Sequence, residues 1–166
     1  ITGKTFYWRD GTAYSGGYTE VDDQNLAGGS GNDLQVNNIN LDFDFGAPVA
    51  GLTLRAYDGG GNLNIEINGE FLNFDRLLEL DGRDTGGVSI TVIDLGNSQY
   101  QLVLDGMIER FAIGGQELWI DDVCPQGQDG LTFYVDDASD QLLVSIAWQN
   151  PTKGGQLIQL YDPDGN

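Results

Sequence analysis

The sequence predicts an all-β fold, an antiparallel β-sandwich or jelly roll with a short three-strand C-terminal extension, and three observations carry that expectation. Apolar and polar residues alternate with a period of two along most of the chain. Glycine, at 25 residues, gathers with Asn and Asp into tight-turn signals between the alternating runs. The strands do not alternate with long helical patterns, as they would in an α/β fold built on a parallel sheet.

Taken in order, YWRDGTAYSGGY near the start reads as a first strand and a loop rich in aromatics and glycine. NINLDFDFG is the clearest half-buried strand, with Ile39, Leu41, Phe43 and Phe45 on one face and Asn40, Asp42 and Asp44 on the other. LNIEING repeats the rhythm, placing Leu63, Ile65 and Ile67 inward and Asn64 and Glu66 outward; GVSITVID and YQLVLDG follow suit. GGGN, DGRDTGG, DLGNSQ and IGGQ supply the turn residues between them. Only FLNFDRLL, Phe71 to Leu78, spaces its apolar residues by three and four, which suits one or two helical turns or an irregular strand. At DVCPQGQDG the pattern breaks, so the expected domains are 1–127, the β domain, and 128–166, an extension of three strand-like runs. Three strands barely bury a face alone, so the extension is expected to pack on the main domain, to pair with another copy of the chain by donating strands, or to open a further module.

The charge balance narrows the partners. Against 7 Lys and Arg stand 26 Asp and Glu, a net charge of −19, with no histidine. Nucleic acid and anionic membrane both rely on a basic patch and are poor partners for such a surface, so no nucleic-acid partner is expected, whereas cations are natural ones. The absence of an 18-residue apolar run argues against membrane insertion. Cys124 stands alone, so no disulfide forms within the chain and no Cys/His metal site can be assembled. Beginning at Ile1 without a Met, the chain reads as processed or excised, and its character suggests secretion or a cell-surface location.

GGQELWIDDV, Gly114 to Val123, resembles the closing strand of jelly-roll carbohydrate-binding modules of the galactose-binding-like type, which often end in an apolar-apolar-Asp-Asp-apolar pattern. The stretch from Asn38 to Cys124 is similar to β-jelly-roll segments of large bacterial secreted and surface proteins, and the tail is similar to the early strands of small β-sandwich modules found beside proteases and adhesins. The resemblance implies extracellular binding without chemistry. It also implies a structural Ca²⁺ held by Asp121 or Asp122 with oxygens from early in the chain, Glu20 or Asp22. The alternative is a strand end with solvated carboxylates. GGSGND, Gly28 to Asp33, matches the start of the calcium-binding nonapeptide, but only one copy is present and Gln35 replaces its large apolar residue. Asp33 is thus either a calcium ligand or part of a plain glycine loop.

Aromatic rings stack on the C–H faces of sugars while nearby carboxylates and amides take the hydroxyls. Trp8, Tyr57 and Trp119, with Glu117 beside the last, are the candidates for such contacts, and burial in the core is the competing fate of each ring. Glycoside hydrolysis needs two carboxylates facing each other across a cleft, roughly 5 to 10 Å apart. The acidic residues here lie mainly on outer faces and turns, and the chain carries no G-x-S-x-G, phosphate loop or histidine metal motif. The expected function is therefore a non-catalytic module binding polysaccharide or surface glycan with structural calcium, or else a subunit of an extracellular filament, sheath or surface layer.

Overall fold

The computed structural model describes residues 1–126. The expected strands of the extension 128–166, and the self-assembly expected of them, lie outside the described residues.

The described chain is all-β. In order it forms β1 (Thr2–Lys4), β2 (Phe6–Tyr7), β3 (Ala13–Tyr14), β4 (Tyr18–Asp22), β5 (Asp33–Asn37) and β6 (Ile39–Phe43). The long β7 (Val49–Ile67) and β8 (Glu70–Phe74) follow, then a 3-10 turn at Leu77–Leu80. β9 (Asp84–Thr85), β10 (Val88–Gly96), β11 (Gln99–Ile108) and the long β12 (Phe111–Gln126) complete it. Every pairing is antiparallel, and the main path runs β1-β6-β12-β7-β11-β10-β9. Among the described residues no helix is long and apolar enough to cross a membrane.

The sheet curls because its two longest strands change partners midway. β7 pairs with β11 from Val49 to Tyr57 and with β8 from Leu63 to Ile67. β12 meets β6 over Phe111–Gly115 and β5 over Leu118–Ile120, with register shifts between. The change falls at Gly59–Gly61 in β7, where Gly60 and Gly61 have φ of +113° and +85°, conformations that a side chain would strain. Inward residues from both arms form one core, with Leu52, Leu54, Leu102 and Leu104 on one side of the bend and Ile65, Ile67, Phe111 and Ile113 on the other. The alternation read in GVSITVID holds, since Val88, Ile90 and Val92 are buried.

Two local expectations are refined. Phe71–Leu78 divides between its alternatives: Phe71 to Phe74 continue a strand, and Leu77 opens a 3-10 turn whose Leu77 and Leu80, three apart, both point inward. Asn64 and Asn40, placed outward by alternation, are buried at 1% and 6% exposure. The chain from Thr5 to Tyr7 crosses that face, and amides beneath it satisfy its backbone. Asn64 Oδ1 accepts from Tyr7 N at 2.9 Å and its Nδ2 donates back to Tyr7 O at 2.9 Å, while Asn40 Nδ2 donates to Thr5 O at 2.8 Å. Asn62 and Asn73 also donate to Tyr7 O.

Candidate functional site

This amide clamp fixes one wall of a cleft of about 920 Å³, within the size of ordinary ligand sites. β2 and β3 form a hairpin whose tip is Trp8, Arg9 and Asp10. The turn is closed by Trp8 N donating to Thr12 O at 2.9 Å, Gly11 N to Trp8 O at 2.8 Å, and Thr12 N to Asp10 Oδ1 at 2.8 Å. The last bond holds the exposed Asp10 carboxyl below its usual pKa. Phe6 anchors the hairpin in the core, and Trp8 is held edge-on between Phe6, at 5.4 Å, and Tyr14, at 5.9 Å. Arg9 pairs with Asp75 across the cleft.

The floor is the glycine bend of β7. Asp58 continues the inward register of Leu52, Leu54 and Ala56, so its carboxylate is drawn inside, at 8% exposure. Its oxygens accept from Gly60 N at 3.0 Å and Leu77 N at 3.1 Å. Burial nevertheless raises its pKa, against those two bonds and the charge of Arg76. Tyr100 lies on the same cleft, and burial, then the charges of Asp94 and Asp58, push its hydroxyl up. Asn62 N donates to Gln116 Oε1 at 2.8 Å, and the buried Asn62 Oδ1 has no protein partner among the described residues. An aromatic ring, amides, guanidinium groups and carboxylates thus share one concave surface, a set suited to a ligand with many hydroxyls.

A second polar centre forms around Asp33, which is 1% exposed. Its Oδ2 accepts from Ala27 N at 3.0 Å, while its Oδ1 is buried without a partner. Burial raises its pKa; the backbone bonds from Ala27 and Leu26 oppose this, and the charges of Asp121 and Asp22 add to it. Asp121 Oδ1 accepts from Asp122 N at 2.7 Å, and its Oδ2 is likewise buried and unpartnered. Gly29 lies so close that a Cβ there would collide with the Asp121 carboxylate. Glycine in this loop therefore serves close approach to a carboxylate.

Of the sequence-expected metal ligands, Asp33, Asp121 and Asp22 come together, and two do not join them. Glu20 is an exposed residue of β4. Asp122 sits at a register shift of β12 with φ +47°, and its carboxylate accepts from Ser30 Oγ at 2.8 Å and lies 3.8 Å from Arg55 Nε. Asp22 is engaged, accepting from Trp119 Nε1 at 2.7 Å and Gln24 N at 2.9 Å, bonds that lower its pKa, with Trp119 the larger cause. Among the described residues no group of three Asp, Glu or Cys side chains stands ready to hold a metal. The residues that would hold a cation here are Asp33 and Asp121. Two buried carboxylate oxygens without donors fit a hard cation, since an unpaired buried charge is otherwise costly.

Of the expected sugar contacts, Trp8 lines the cleft. Tyr57, Trp119 and Glu117 lie outside its lining. Trp119 and Tyr57 meet edge-on at 5.5 Å, and Trp119 is tied to Asp22. Sequence reasoning missed Asp58, Asn62, Arg76 and Tyr100. For Asp58 a signal existed: an acidic residue in step with Leu52, Leu54 and Ala56 is a carboxylate on an inward face.

Comparison with family models, with curated proteins and with solved structures finds no match. The functional reading therefore rests on these two centres.

Proposed function

We propose that the chain is a non-catalytic extracellular glycan-binding module, with the cleft beneath the Trp8 hairpin as its ligand site and a structural Ca²⁺ between Asp33 and Asp121. The observation that carries the reading is the cleft itself. Trp8 offers ring surface at one wall while Asn62, Gln116, Arg76 and Tyr100 present donors and acceptors to the same space. Asp58 is a poor candidate for catalysis, because both its oxygens are committed to backbone N–H groups. When bound, Ca²⁺ supplies positive charge to two carboxylates whose buried oxygens lack donors, and hard oxygen ligands of that kind suit it.

The test is a panel of neutral, acidic and amino polysaccharides run against the chain by affinity electrophoresis with calcium present. Retardation by at least one neutral polysaccharide is expected, with a loss of roughly tenfold in affinity for Trp8→Ala, in line with about 0.5–1.5 kcal/mol per aromatic contact plus lost area. Absence of binding to every polysaccharide, with calcium and without, would sink the ligand assignment.

A further inference from the structure

The acidic loop and the cleft meet the same short turn from opposite sides. Gln99, at the start of β11, donates from Nε2 to Leu26 O at 2.7 Å, and its amide packs on Gly28 in the loop that folds over Asp33. Its chain neighbours Ser98 and Tyr100 both line the cleft. Ser98 O accepts from Asp58 N at 3.0 Å, so the same turn also fixes the cleft floor. A second connection runs beside it. Asp22 holds the Trp119 indole at 2.7 Å, and the far edge of that ring lies against Gly59, in the bend that forms the floor.

We infer that Gln99 is a positioning residue through which cation binding at Asp33 and Asp121 orders the cleft, so that calcium and ligand raise each other's affinity. The inference rests on the reading of Asp33 and Asp121 as a cation site. Asp33 Oδ1 and Asp121 Oδ2 are both buried without a donor among the described residues, and the Asp121 carboxylate lies against Gly29 of the loop, so like charge on neighbouring strands opposes the loop's position. A bound cation removes that opposition and fixes Leu26 to Gly29. Gln99 carries the constraint to Ser98 and Tyr100, and Trp119 carries it to Gly59. Reciprocity is required by linkage: a ligand that orders the turn also orders the loop.

Hydrogen exchange read by mass spectrometry tests this on the full chain, with CaCl₂ alone as the probe at about 1 mM, suited to extracellular calcium sites. Calcium is expected to slow exchange in the loop 24–33 and also in 58–62 and 98–100, by roughly fivefold or more, the lower end of ordinary coupling. Gln99→Met keeps the bulk and loses the donor; it should retain protection of the loop and lose most of it at 98–100. Protection of the loop with no change at 58–62 and 98–100 in the unmodified chain would overturn the coupling while leaving the cation reading intact. Cleft protection in Gln99→Met equal to that of the unmodified chain would overturn the role of Gln99. Calcium that leaves even the loop unprotected defeats the cation reading and the coupling together. The arms using the unmodified chain decide the coupling whether or not the variant folds.

Discussion

Asn64 holds both the N–H and the carbonyl of Tyr7 with one buried amide; Asn62 and Asn73 also donate to that carbonyl, so the loss of Asn64 strands the Tyr7 N–H. Asn64→Ala is expected to destabilise the fold by about 1–3 kcal/mol, the cost of leaving buried polar groups unpaired, measured as a lower urea midpoint at unchanged slope. Asp33 has the opposite sign. Its folded pKa is raised above 3.8, so its protonated form favours folding; that contribution is full below the unfolded value and is lost as pH rises through the folded one. Asp58 behaves likewise, its pKa also being raised by burial. In chelator, thermal stability should therefore rise as pH falls from neutrality toward the usual carboxylate range, whereas calcium, competing with the proton at Asp33, should flatten that rise. Below 3.8, protonation of Asp22, whose pKa is lowered by Trp119, works against folding. Asp33→Asn removes the opposed charge, and it should raise the chelator melting temperature while abolishing any calcium-induced shift. A variant that melts lower in chelator and still responds to calcium would contradict the assignment.

At the scale of elements, the loop from Asp22 to Asp33 matters through how closely it approaches Asp121. Gly29→Ala puts a methyl where the Asp121 carboxylate lies, and the short Asp side chain has little room to yield. A weaker calcium isotherm by calorimetry is expected, with the core strands unaffected by far-UV circular dichroism. How legible such features were depended on whether they were local. Alternation revealed the inward faces of β6 and β10 because each depends on its own residues. It misassigned Asn40 and Asn64, because the cover over that face comes from Thr5 to Tyr7, far away in sequence. The sequence offered Asp33 through the GGSGND run and, through the jelly-roll resemblance, Asp121 or Asp122 with Glu20 or Asp22; strand register gathers Asp22, Asp33 and Asp121 and leaves Glu20 and Asp122 apart. The register shift that turns Asp122 toward Arg55 carries no sequence mark of its own. Trp8 was picked out by its aromatic character, whereas the cleft it lines requires the bend of β7 and the turn before β11 to meet, a tertiary fact.

For the whole molecule, a net charge of −19 makes self-repulsion a general cost of the compact state, and a cation bound to the native form offsets part of it. Saturating calcium at about a hundredfold excess over its dissociation constant would add about 2.7 kcal/mol by linkage alone, seen as a melting temperature several degrees above that in chelator. The curled sheet brings the two centres to opposite sides of one turn, and the binding reading depends on the cleft side. Backbone chemical-shift mapping during titration with a polysaccharide fragment selected by the panel tests that reading most directly. The account predicts that the perturbed amides gather at 8–11, 58–62, 75–76 and 98–100. Perturbations centred instead on Tyr57, Glu117 and Trp119, with the Trp8 hairpin unmoved, would contradict it.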